Sequence, residues 1–313
     1  MLKPFCIVLL FIPFFTFATS IINCGQWLHI NKVPKRAVVH DINMIEMMLA
    51  LDLQTNLVGI SGIPDKNLLP LISQKKLSGI PIISRNSIPI EALISNQVDF
   101  VFAGWNYGFR VNGEVTPKKL ADLGINSYLL TESCIHVGDK TPASFDDVLY
   151  DITNLGRVFQ VEHRAEQLVK AQKKRIERLS KRLITTKNKP KVFVYDSGVS
   201  APFTAGGYAM PDAMITLAGG VNVMRQLKGS WLNTQWEQVS LENPDWIIIV
   251  NYGEQTADEK ITFLKENKAL QHFNAIKNNN YFILDYVEVT PGVHNISATE
   301  RLAKKLHPHQ FKS

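Results

Sequence analysis

The stretch EALISNQVDFVFAGW, residues 91–105, decides the fold, because the chain repeats its pattern as EQVSLENPDWIIIVNYG over residues 237–253. In each copy a glutamate (Glu91, Glu237) opens a short helical run and an aspartate follows eight positions later (Asp99, Asp245). An uninterrupted apolar run comes next, Phe100 to Ala103 or Trp246 to Val250. Such a run suits a strand covered on both faces, the environment of a parallel sheet. Each strand leads to an aromatic, Trp105 or Tyr252, near the carboxyl edge where open α/β sheets hold ligands. Two such units predict two similar α/β lobes sharing an aromatic-lined cleft. Asp99 and Asp245 read as turn residues ahead of the strands.

Outward from the first copy, residues 36–39, 57–60 and 125–130 read as further strands, with a helix over 46–53. Strands alternating with helices indicate parallel α/β layering. From 144 to 185 the pattern turns helical, with a break near Gly156 and Phe159; Ser144 followed by Asp146 and Asp147 marks its start. A helix of this length between two α/β halves acts as a strut. Strands at 191–195 and 281–284 and a helix over 297–306 complete the second half. The division expected is a signal segment at 1–20, a first lobe at 21–143, a connecting long helix at 144–188 and a second lobe at 189–313.

A length of 313 residues with 45% hydrophobic and 20% charged composition is globular and leans to two cores. Lys3, an apolar stretch from Ile7 to Phe17, then Ala18-Thr19-Ser20 have the order of a cleaved secretory signal. That stretch is short for a membrane span, which needs about 20 apolar residues. Export to the periplasm is expected. Of three cysteines, Cys6 falls in the signal, so Cys24 and Cys134 are left to pair in an oxidising compartment. A lipid-modified Cys24 is the rival reading, although Asn23 and Ile21 stand where a lipid-attachment site has a small residue and a leucine. The net charge of +6 is concentrated at Lys170, Lys173, Lys174, Arg175, Arg178, Lys181 and Arg182, interleaved with Ile176, Leu179 and Leu183 at helical spacing. That pattern is the solvated face of one helix rather than a nucleic-acid surface.

The segments RAVVHDINMIEMMLAL (36–51), APFTAGG (201–207) and LAGGVNV (217–223), taken with the two repeated units, give the chain a collinear resemblance to the periplasmic substrate-binding proteins of ABC importers for ferric siderophores, cobalamin and haem. The resemblance implies two Rossmann-like lobes joined by one long helix, with the ligand between them and no resident cofactor. It also implies that Glu91 and Glu237 dock on an inner-membrane permease. The simpler reading makes them exposed helix glutamates.

Strand ends nominate the cleft. The first lobe offers His40, Asp41, Asn43, Arg85, Trp105, Tyr107 and Arg110; the second offers Tyr195, Asp196, Ser197, Phe203, Thr204, Tyr252, Tyr286 and Glu288. Aromatics supply rigid faces and a few polar groups set orientation, while Arg85 and Arg110 suit an acidic ligand. His40 is also a candidate haem ligand opposite Tyr107 or Tyr252, against the simpler reading of a hydrogen-bonded structural histidine. No phosphate loop, zinc-protease helix or nucleophile elbow occurs, and the eight histidines lack ligand spacing. The sequence therefore reads as a monomeric, non-enzymatic carrier of an iron-siderophore, corrinoid or haem-like ligand. A periplasmic haem or metal-complex scavenger without a transporter partner is the second reading.

Overall fold

The computed structural model describes residues 18–64, 69–138 and 141–312. Most of the expected signal segment, residues 1–17, lies outside them. The arm that follows is a hairpin, β1 (Thr19–Asn23) against β2 (Gln26–Ile30), so Thr19 and Ser20 are paired with Ile30 and His29. Cys24 and Gly25 turn the hairpin at φ 47° and 74°, the left-handed pair that a two-residue turn between twisted strands requires. Cys24 is disulfide-bonded to Cys134, with Cα atoms 5.3 Å apart. Beside it the Asn23 side chain donates to the Leu129 carbonyl at 2.8 Å and accepts from the Leu129 N–H at 2.7 Å.

The first lobe contains β3 (Ala37–His40), β4 (Leu57–Ser61), β5 (Ile82–Ser84), β6 (Phe100–Trp105), β7 (Gly108–Phe109) and β8 (Asn126–Leu129). Its sheet runs β5-β4-β3-β6-β8, all parallel, with β7 a short strand beside the end of β6. The second lobe contains β9 (Lys191–Tyr195), β10 (Phe203–Ala205), β11 (Val221–Asn222), β12 (Trp231–Asn233), β13 (Trp246–Asn251) and β14 (Tyr281–Asp285). Here β11-β9-β13-β14 form a parallel sheet, and β10 and β12 make a separate antiparallel ribbon.

The duplicated unit is structural. Helices Ile90–Ser95 and Trp236–Glu242 lead into β6 and β13, and the aspartates between helix and strand do the same job twice. Asp99 donates its N–H to the Arg36 carbonyl while its carboxylate accepts from the N–H groups of Lys35 and Arg36. Asp245 does likewise with Lys191. Each aspartate thereby fixes the apolar strand against the first strand of its lobe, β6 on β3 and β13 on β9.

The expected connecting helix is two helices, Phe145–Val158 and Glu162–Leu183. Ser144 and Asp147 cap the first by a reciprocal hydrogen-bonded box. The chain breaks at 159–161, where Gln160 takes φ 56°. Gly156 lets the pair approach closely, since a Cβ there would lie 2.5 Å from that of Ala165. The second helix reaches both lobes. Arg164 donates to the Leu51 carbonyl of the first, and Arg175 pairs through two nitrogens with Glu300 of the second. Its lysines are exposed, as a solvated face demands.

One apolar cluster runs through both lobes. Met44, Ile45, Met47 and Met48 of helix Ile42–Ala50 join Phe100, Phe102 and Tyr128 on one side and Val192, Met210, Met214 and Leu302 on the other. Burying each such side chain is worth about 1.5–3 kcal/mol, so helix 42–50 couples the two lobes. This helix begins four residues before the expected start because Asp41 caps it, accepting the Ile42 N–H at 2.7 Å.

Candidate ligand-binding site

Open α/β sheets hold ligands where strand order reverses. In the first lobe the chain passes from β3 outward to β4 and β5, then returns to β6 on the other flank, so the reversal lies between β3 and β6. In the second it goes from β9 to β11, then back to β13, reversing between β9 and β13. The residues delivered are matched. Asp41 follows β3 and Tyr107 follows β6; Asp196 follows β9 and Tyr252 follows β13.

The two reversals face each other. Tyr286 of the second lobe donates its hydroxyl to Asp41 of the first at 2.9 Å. Asp41, held at φ 71°, is buried, which pushes its carboxyl up to about 6 against the opposing pull of the Tyr286 and Ile42 hydrogen bonds. Tyr286 stacks on Tyr252 with ring centroids 4.2 Å apart. A second bridge lies at Glu132, whose Oε1 accepts the Ser230 hydroxyl of the opposite lobe at 2.6 Å while Oε2 has no partner. Burial pushes Glu132 up to about 7. Trp231, next to Ser230, stacks on Phe203 across the β10–β12 ribbon at 6.0 Å. Burial holds the Tyr107 phenol well above its ordinary value, and the charges of Glu132 and Asp41 raise it further. Tyr252 is raised by burial and then by Asp41 and Asp196. Asp196 is itself raised by burial and accepts from Ser197 at 2.8 Å. The crevice thus gathers three carboxyls, three phenols and two aromatic stacks.

Of the residues expected from the sequence, Asp41, Tyr107, Asp196, Phe203, Tyr252 and Tyr286 converge here. Five are placed elsewhere. Trp105 packs edge-on against Phe109 in the apolar cluster on the outer side of the first sheet. With Trp27, Pro117 and Leu129 it lines a separate recess of about 330 Å³ under the hairpin. The reason is strand alternation, which sends Phe100 and Phe102 toward the central core and Val101, Ala103 and Trp105 to the other face. Tyr195 is fully buried among Phe193, Trp236 and Phe263. Thr204, also fully buried, donates to the Val194 carbonyl. Asn43 ties the lobes by donating to the Pro291 carbonyl at 2.8 Å. His40 has the geometry of the hydrogen-bonded structural histidine. It bonds the Ser61 hydroxyl at 3.0 Å, and its ring fills the space beside Gly62 and Gly108; burial lowers it to about 4.

Arg85 and Arg110 are exposed. Glu288 caps helix Tyr286–Val289 and pairs with Arg301. Glu91 and Glu237 are exposed, each in the first turn of its helix, where a carboxylate complements the helix dipole. Sequence reading missed Glu132, Ser230 and Trp231. Glu132 lies just beyond β8 in the short helix Thr131–His136, so the strand-end rule applied to β8 reaches it. Among the described residues no group of three or more histidine, cysteine or acidic side chains is arranged to hold a metal ion.

A match to the family described as periplasmic binding protein covers residues 38–287, most of the chain and both reversals. The chain belongs to this family. The chain is 24% identical over 291 residues to the uncharacterized ABC transporter substrate-binding lipoprotein YvrC of Bacillus subtilis, covering 92% of this chain and 85% of that one. Vitamin B12-binding protein of Yersinia pestis is 24% identical over 218 residues, 70% of each chain. A periplasmic binding protein from Veillonella parvula superposes with a TM-score of 0.81 at 27% identity, over 93% of this chain and 98% of that one. These relatives are substrate-binding transport proteins, not enzymes, and proteins of this kind bind a small molecule and work with a permease. No helix among the described residues is long and apolar enough to cross a membrane.

Proposed function

We propose that this protein is an exported carrier that captures a metal-chelate-type ligand, a ferric siderophore, a corrinoid or a similar complex, between its lobes and delivers it to an inner-membrane ABC permease. The observation that carries the reading is the matched delivery of Asp41 with Tyr107 and Asp196 with Tyr252 to two facing strand reversals. The stacked pairs Tyr252–Tyr286 and Phe203–Trp231 supply flat faces for a rigid planar or macrocyclic ligand. The vitamin B12-binding relative supports the corrinoid end of this class.

Delivery needs a readable orientation. Glu91 and Glu237 stand at equivalent places on the two lobes, exposed and in first helical turns. Carboxylates set apart on a two-lobed body fix register on a cationic partner more than they add affinity. The carrier is a monomer released from its leader into the periplasm. The Cys24 sulfur is committed to Cys134, which supports a diffusing protein over a lipid-tethered one. Because helix 42–50 and the helix pair at 145–183 join the lobes, ligand release proceeds through a small spreading of the crevice.

The test replaces Glu91 and Glu237 together by lysine. Uptake of the bound complex into cells carrying the permease is abolished, while affinity measured by tryptophan fluorescence is unchanged. Uptake that survives the double substitution removes the docking assignment. Loss of affinity would place those glutamates in the site instead.

A further inference from the structure

We infer that the crevice selects its ligand by charge: the end of the ligand that reaches the floor is neutral or cationic, and anionic complexes are disfavoured. The inference rests on the carrier reading above and specifies its ligand. Every ionisable side chain assigned to the floor is an acid, namely the carboxyls of Asp41, Glu132 and Asp196 and the phenols of Tyr107, Tyr252 and Tyr286. The basic group that acts on one of them, Asp196, is Lys260, which is 1% exposed and spends its Nζ on the carbonyls of Val250 and Tyr252, both at 2.7 Å. Arg85 and Arg110, which suit an acidic ligand, are exposed and enter none of the floor's hydrogen bonds.

The donors that cross the crevice are already used. The Tyr286 hydroxyl donates to Asp41 and the Ser230 hydroxyl to Glu132. An anionic group arriving there meets carboxylates whose own donors are committed, and like charges brought together in an interface cost several kcal/mol. A neutral amide or hydroxyl donor meets acceptors instead. The aromatic stacks act in the same direction, since ring faces attract cations and not anions.

The experiment titrates the mature protein at pH 8 by tryptophan fluorescence with iron complexes of different charge: ferrichrome (neutral), ferrioxamine B (cationic), and ferric citrate and ferric enterobactin (anionic), together with neutral cyanocobalamin. A neutral or cationic complex binds at least roughly tenfold more tightly than either anion, a ratio worth about 1.4 kcal/mol and so below the several kcal/mol of a like-charge contact. The preference narrows at pH 5.5, where protonation of Asp41 and Glu132 removes most of the charge these two carboxyls carry at pH 8. Glu132→Gln and Asp41→Asn narrow it at pH 8 as well, and the pH dependence in the unmodified protein tests the same charge should either variant fold poorly. An anionic complex that binds tightest, or a preference indifferent to pH, overturns the charge rule and leaves the carrier reading standing. Failure of all five complexes to bind removes the metal-chelate reading and this inference with it.

Discussion

Breaking the Cys24–Cys134 bond removes a constraint whose size follows from the chain it closes. The two cysteines are 110 residues apart, so the cross-link encloses nearly the whole first lobe. In the loop-entropy account, closing 110 residues removes about 16 cal/mol/K from the unfolded ensemble, or about 4.8 kcal/mol at 25 °C. Set against a total stability of about 5–15 kcal/mol for a folded protein, that term is a third of the whole or more. Urea unfolding followed by tryptophan fluorescence, comparing oxidised protein with Cys24→Ser/Cys134→Ser, should show a loss of about 4–5 kcal/mol and a larger dependence on urea, because the uncrosslinked unfolded chain exposes more surface. The native contacts give the control. Asn23→Ala cuts both hydrogen bonds to Leu129 yet leaves the cross-link, so it costs about 1–3 kcal/mol without changing that dependence. A double serine variant that loses less than about 1 kcal/mol, with the urea dependence unchanged, would refute the loop argument. The expected result also ties stability to an oxidising compartment, where the bond persists.

Two further predictions concern buried ionisable groups. Asp151, which accepts the Tyr128 hydroxyl and both the N–H and hydroxyl of Thr131, is pushed up to about 7 by burial. A carboxyl whose folded value lies above its unfolded one binds its proton more tightly in the fold, so its stabilisation is full below about pH 4, falls as pH rises to about 7 and is then constant. The stability difference between wild type and Asp151→Asn should therefore change by up to about 1.4 kcal/mol per pH unit across that window and level off above it; a pH-independent difference would contradict the assignment. Lys260→Met removes a donor from the carbonyls of Val250 and Tyr252, the first of which still accepts the Tyr252 N–H. Thermal unfolding should report a loss of about 1–3 kcal/mol together with weakened ligand binding through Tyr252, and unchanged affinity would separate Lys260 from the site.

The duplicated unit was legible because it repeats a pattern of residue types at fixed spacing, and a strand covered on both faces has little freedom to hide its apolar run. The aspartates of the two units were legible as turn residues, and their matched bonds to Arg36 and Lys191 give the physical reason. The hairpin at residues 19–30 was not. Its short alternating strands follow closely on the apolar stretch of sequence at 7–17, and what holds it is remote in sequence, at Leu129 and Cys134. Strand-end logic named Asp41, Tyr107, Asp196 and Tyr252, which the structure brings together, and also Trp105 and Tyr195, which it packs elsewhere. A strand end names two neighbouring residues that point to opposite faces, and the apolar runs here carry no alternation to say which face is which. The ribbon of β10 and β12 was hidden for a related reason: three-residue strands carry too few side chains to show a period.

The two lobes share a plan but are loaded differently, and that difference is what makes a site. At the reversals each lobe supplies one carboxyl and one phenol. Around them the first lobe adds a second buried acid, Glu132, while the second adds the hydroxyls of Ser230 and Tyr286 and both aromatic stacks. Acceptors therefore face donors across the crevice where two identical lobes would have set acid against acid. Hydrogen bonds of this kind contribute about 1.5–3 kcal/mol each to an ionised carboxylate and about 0.5–1.5 kcal/mol to a protonated one, enough to favour apposition of the lobes and weak enough for an incoming ligand or a docked permease to exchange them. Permanent attachment of the lobes falls instead to the apolar helix 42–50 and to the two helices at 145–183, which do not contribute to the floor. Holding the lobes and opening the crevice are thus assigned to different residues, so substitutions at Ser230 or Tyr286 should alter ligand affinity well before they alter the fold.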